Sequence, residues 1–138
     1  MFEQCLYFNT AALSRLLERE WSQAFQPFGL SPPQAFMLRA VLARPGMPQR
    51  ELAQTLTITR PTATRLLDGL QRHGLVERRG SATDGRESEI HPTAAAQAIA
   101  SALQQASTQA TRRMKRTLGE QAFADVVSRL HQARGLIG

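Results

Sequence analysis

Between Arg60 and Arg86 the chain gathers six guanidinium groups, on Arg60, Arg65, Arg72, Arg78, Arg79 and Arg86, against three carboxylates, on Asp68, Glu77 and Asp84. The planar guanidinium fork suits phosphate oxygens and guanine edges better than the point charge of lysine does. The bias runs through the whole sequence: of 17 basic residues only Lys115 is a lysine, and the net charge is +6. High genomic GC content also enriches arginine, so position has to decide what the bias means. On an isolated helix, Arg65, Asp68 and Arg72 read as ion pairs spaced along a solvated face. Half of the net positive excess falls in this one span, however, and a polyanionic partner explains that economically.

Other chemistry is sparse. The sequence has no glycine-rich lysine loop, no dinucleotide fingerprint and no helical pair of zinc histidines, so nothing points to an enzyme. His73, His91 and His131 stand apart, with no cysteine or acid at ligand spacing, and neither a metal nor a cofactor is expected. Cys5 is the single cysteine. It has no partner for an internal disulfide, which fits a cytoplasmic protein.

Helices must position the arginines. Phe8, Ala12, Leu13, Leu16, Leu17, Trp21, Ala24, Phe25 and Phe28 recur at helical spacing, predicting an amphipathic helix that ends near Pro27 or Gly29. Ser31, Pro32 and Gln34 form the start signal of a second helix, which "RPG" stops. A short helix over 49–56, a tight turn through Thr57 and Ile58, and a longer helix to His73 follow, with Thr59 as cap, Pro61 in the first turn and Gly74 as the stop. Two helices joined by such a turn are a helix-turn-helix candidate.

On a helical wheel Ala63, Leu66, Leu67 and Leu70 of the longer helix share one side, which must face the core. Opposite lie Pro61, Arg65, Asp68 and Arg72, flanked by Thr62, Thr64 and Gly69. A face that offers hydroxyls and guanidinium groups without crowding acids suits entry into a major groove, with Arg65 the candidate guanine reader. "LVERR" and "ESEIHP" then read as the two strands of a hairpin around "RRGSATDGRE". A hairpin after a recognition helix makes a winged helix, and Arg86 is the candidate probe of a narrow, electronegative minor groove. Arg78 and Arg79 near the base suit phosphates. Asp84 is expected to brace a neighbouring arginine or to accept turn amides.

Thr93 caps a long helix to about Leu118, Gly119 breaks it, and a last helix is predicted from Glu120 to near Arg134. The 138 residues, 42% hydrophobic and 20% charged, sit near globular averages and suggest one folded domain. No apolar run approaches the roughly 20 residues a membrane span requires, and no secretion signal is expected.

Together, "QRELAQTLTITRPTATRLLDGLQRHGLVERR", the Asp-x-Arg of Asp84 to Arg86 and the "HPT" leading into a long helix resemble the multiple antibiotic resistance regulator (MarR) family of winged-helix transcription factors. The resemblance covers nearly the whole chain. It implies a mainly α fold with a small β-hairpin wing: a DNA-binding lobe over 31–92, flanked by dimerisation helices over 1–30 and 93–138. It implies a homodimeric repressor of a pseudo-palindromic site on double-stranded DNA, with Thr59, Arg60, Pro61, Thr62, Thr64, Arg65, Arg72, Arg78, Arg79, Asp84 and Arg86 as the DNA-binding set. An acidic protein is the alternative partner of the basic face.

The resemblance also implies a signal, since many members of this family release DNA when a small aromatic anion, a metal or an oxidant acts on them. The context "EQCLYF" is similar to a subgroup that senses organic hydroperoxides through a cysteine at the start of the first helix, making Cys5 a candidate redox sensor. Against this, Tyr7 is the only tyrosine where that subgroup has several. A buried, inert thiol is the competing expectation. Trp21, Phe25, Phe28, Phe36 and Met37 are candidates either for lining a crevice that takes an aromatic ligand or for plain core.

Overall fold

The computed structural model describes residues 1–80 and 87–138. Four of the six α-helices among the described residues begin where a side chain supplies an acceptor for a free amide. Helix α1 (Leu6–Phe25) is capped by Cys5, whose Sγ accepts the Phe8 N–H at 3.4 Å, and a single 3-10 turn, Gln26–Phe28, follows it. Helix α2 (Pro32–Ala43) starts with the full capping box, Ser31 Oγ accepting from the Gln34 amide and the Gln34 side chain from the Ser31 amide. Helices α3 (Gln49–Leu56) and α4 (Arg60–Arg72) form the helix-turn-helix. Thr93 caps α5 (Ala94–Leu118). Helix α6 runs over Glu120–Ile137, nearly a turn beyond the expected end at Arg134, because Gly135 is tolerated within it and Leu136 and Ile137 carry the helix on.

The hairpin is part of a larger sheet. Strands β1 (Met47–Pro48), β2 (Val76–Gly80) and β3 (Ser88–Pro92) are antiparallel in the order β1-β3-β2, with Met47 opposite Ile90 and Val76 opposite Pro92. Strand β1 escapes a periodicity reading because two residues have no alternation to detect. Its Met47 is buried, and the preceding Gly46 N–H reaches the Ile90 carbonyl at 2.8 Å.

The core lies where α2 meets α4, α5 and the sheet. Phe25, Met37, Leu38, Val41, Leu52, Leu67, Leu70, Ile90 and Leu103 are fully buried there. Phe25 and Met37 are therefore core side chains, not crevice lining. Ser107, on α5, ties three helices: its Oγ accepts from Trp21 Nε1 of α1 at 3.3 Å and from Arg39 Nη1 of α2 at 3.2 Å. Such satisfaction removes the cost of burying a hydroxyl.

Helix α6 contributes no buried residue, and its Val126, Val127, Leu136 and Ile137 are exposed. So are Leu6, Tyr7 and Phe8 in the first turn of α1. Among the described residues no helix is long and apolar enough to cross a membrane.

Candidate nucleic-acid interface

The turn between α3 and α4 depends on Thr57, which adopts the left-handed conformation at φ 56° and ψ 48°. It is the only non-glycine residue with positive φ among those described. A β-branched side chain resists this conformation, so the surroundings must hold it. The Thr57 N–H returns to the carbonyls of Ala53 and Gln54, and Ile58 N–H to Ala53 at 2.9 Å. These bonds close α3 and aim the chain into α4.

At the start of α4, Thr59 Oγ1 accepts the Thr62 N–H at 3.3 Å and pairs with Thr62 Oγ1 at 2.9 Å. Arg65 Nη2 rests 3.4 Å from the same Thr62 hydroxyl. Thr59, Arg60, Pro61, Thr64 and Arg65 are exposed and Thr62 is half-buried. Ala63, Leu67 and Leu70 are buried on the other side, so core packing fixes which face is offered. That face sits at a helix N-terminus, where free amides and the helix dipole favour phosphate. Arg72 is exposed at the far end of α4.

Two wheel assignments change. Gly69, expected on the outer flank, is buried, and a Cβ built on it would lie 2.6 Å from Gln34 Nε2. Here α4 presses against the start of α2, and an ideal wheel carries no information about how far a neighbouring helix wraps around. Leu66, expected in the core, is only half-buried and borders a surface crevice.

Arg78 does something the sequence reading missed. Its Nη2 donates to Asp68 Oδ1 at 2.8 Å and to the Thr64 carbonyl at 3.3 Å, while Nη1 donates to Gln71 Oε1 at 2.7 Å. The guanidinium thus links β2 to α4, and Asp68 is its counterion. Arg79 is exposed and lies 3.3 Å from Glu77 on its own strand. Gln49, at the start of α3, was also missed; its Nε2 donates to Thr64 Oγ1 at 2.7 Å and restricts that hydroxyl on the outer face. Nothing in sequence marks either contact, since both depend on how elements cross. Asp84 and Arg86 lie outside the described residues, so the expected brace between them has no geometry here.

Cys5 is exposed, which corrects the expectation of a buried thiol: as the cap of α1 it stands at the end of the helix, where no other element among the described residues covers it. Along α1 and α6 runs a crevice of about 690 Å³ between these helices and the helix-turn-helix. Trp21 and Phe36 line it together with Leu17, Ile58, Leu66 and Leu130, whereas Phe28 packs against the core. Glu18 and Arg134 are the charged residues at its wall. Among the described residues no group of three or more His, Cys, Asp or Glu side chains is arranged to hold a metal.

A profile of the MarR family matches residues 28–87, which span α2, the helix-turn-helix and the first strand of the hairpin. No curated protein matches the chain significantly. Among solved structures, the transcriptional repressor CouR bound to a 23-mer DNA duplex is 25% identical, with a TM-score of 0.87 over 96% of this chain and 94% of that one. A second CouR structure, bound to p-coumaroyl-CoA, is 24% identical at TM-score 0.86, again over 96% and 94%. The S. aureus MepR–DNA complex is 21% identical, with a TM-score of 0.83 over 96% of this chain and 98% of that one. With a winged helix-turn-helix between two sets of flanking helices, the chain shares the fold of these regulators, and its central module, residues 28–87, matches the MarR family.

Proposed function

We propose that the protein is a transcription regulator that binds double-stranded DNA as a homodimer and represses from a pseudo-palindromic operator. Helix α4 enters the major groove, and the wing carrying Arg86 enters the adjacent minor groove. The observation that carries this reading is the exposed array of Thr59, Arg60, Thr64 and Arg65 at the N-terminus of a helix whose opposite face is locked into the core. CouR and MepR, whose folds this chain shares, have been solved on DNA. The exposed apolar residues of α6 and of the first turn of α1 suit burial against a second copy, with residues 1–30 and 93–138 as the dimerisation helices and 31–92 as the reading lobe.

The apolar crevice between α1, α6 and the helix-turn-helix suits a small molecule with an aromatic body, and its occupation is the proposed release signal; CouR has been solved with p-coumaroyl-CoA. Cys5 caps the turn of α1 that is proposed to meet the second copy, so oxidation of its thiol, which would disturb that contact, is a second candidate signal. Selection of bound sequences from random duplexes, with and without a salicylate-like anion or a hydroperoxide, tests both parts. Enrichment of one two-fold-related motif, lost with one of the additives, is the expected outcome. Failure to enrich any sequence, with binding to an acidic protein instead, would overturn it.

A further inference from the structure

The hydrogen bond from Arg134 Nη2 to Thr57 Oγ1, at 3.1 Å, joins residues 77 positions apart. Among the described residues it is the one hydrogen bond that a side chain of α6 makes to another element. It ends on the left-handed residue of the helix-turn-helix, two positions before the Thr59 cap of α4. Leu130, one turn earlier on α6, borders the crevice together with Arg134, Thr57 and Ile58, so this face of α6 is directed at the turn.

We infer that Arg134 is a positioning residue for operator reading: through Thr57 it fixes where α4 begins relative to α6. The inference rests on the proposed function, in which α6 lies in the dimer interface and α4 reads bases. Two reading helices register on one operator only if each is held at a set position relative to the shared interface. The bulk of the lobe packs on α2 and α5, and those contacts fix its core. The turn itself projects toward α6, and its left-handed threonine needs external support. Arg134 supplies a donor there without burying charge, since both partners are exposed. An exposed hydrogen bond adds little to global stability. Its effect therefore falls on orientation, and it acts twice in a symmetric dimer.

The same guanidinium lines the crevice. A molecule lodged there meets the group that holds the turn, which gives the crevice a direct route to the start of α4.

The test uses the full-length protein, the tightest duplex that the wild type selects from a random pool, and a random-sequence duplex of equal length. Arg134→Ala and Thr57→Val should each weaken binding to the selected duplex by about three- to tenfold, the worth of one modest hydrogen bond, with random-duplex affinity unchanged within about twofold. Thr57→Val keeps the β-branch, so the backbone cost is matched and only the hydroxyl is lost. The double variant should bind no more weakly than the worse single one, and Thr57→Ser should restore wild-type binding. Wild-type affinity in Arg134→Ala, additive losses in the double variant, or equal losses on both duplexes would each overturn the role of Arg134 and leave DNA reading intact. Failure of the wild type to bind any duplex would overturn both.

Discussion

Arg78 on β2 and Asp68 on α4 meet at 2.8 Å, and the same guanidinium also reaches Gln71 and the Thr64 carbonyl. The first strand of the wing is thereby fastened to the middle of the helix proposed to read bases. Arg78 is 24% and Asp68 46% exposed, placing the pair between a buried and a surface ion pair. Asp68→Asn should therefore cost about 1 kcal/mol of unfolding free energy, between the values for exposed pairs and for charged hydrogen bonds. Arg78→Lys should recover only part of an Arg78→Ala loss, because one ammonium cannot satisfy three acceptors held in a fork. Urea unfolding checks this. Variants within about 0.5 kcal/mol of wild type, the range of an uninvolved surface residue, would show the link to be idle.

Arg65 is exposed on α4 and held loosely at 3.4 Å by Thr62, so it is free to turn toward a base. Arg65→Ala should lose about 1–3 kcal/mol at one base pair and relax discrimination there. Arg86→Ala should weaken binding most where the flanking minor groove is a narrow A·T tract. Binding measured on duplexes varied one pair at a time separates the two effects. A uniform loss across all sequences for Arg65→Ala would reassign that side chain to phosphate contact.

Gly69 tests the contact between α4 and α2. A mid-helix Gly→Ala change normally gains about 1 kcal/mol, but the new methyl would lie 2.6 Å from Gln34 Nε2 and push away the side chain that completes the Ser31 capping box. Losing part of a cap costs a similar amount, so Gly69→Ala alone should leave stability within about 0.5 kcal/mol of wild type. In a Gln34→Ala background the obstacle is gone, and Gly69→Ala should then stabilise by about 0.5–1 kcal/mol. Equal effects in both backgrounds, read by thermal unfolding, would contradict the packing described.

Cys5 caps α1 through a weak sulfur acceptor at 3.4 Å, a task that serine performs at least as well. Cys5→Ser should keep wild-type stability within about 0.5 kcal/mol and remove any release of DNA triggered by hydroperoxide. Release that persists in this variant, followed by duplex binding before and after oxidation, would rule out the thiol as sensor.

The sequence was most informative where a local rule decides the outcome. Ser31, Thr59 and Thr93 announce helix starts because a hydroxyl before a helical run meets free amides within three residues. The side of α4 that faces the core follows from the spacing of Ala63, Leu67 and Leu70. The rest depends on elements distant in sequence. The two-residue strand β1 exists only because β3 passes beside it. The burial of Gly69 depends on α2, and the engagement of Arg78 on the height at which β2 crosses α4. Charge counting picked Arg78 as a phosphate contact, yet its guanidinium already holds three acceptors of α4; charge alone does not reveal which arginines the fold has used.

The central claim is that α4 and the wing of two symmetry-related copies read one DNA site. Selection from random duplexes, followed by footprinting at two salt concentrations, tests it most directly. Two inverted half-sites centred about one helical turn apart, roughly 34 Å, with affinity falling steeply as salt rises, are expected. Recovery of a single unpaired half-site, or of no preferred sequence at any salt, would contradict the account.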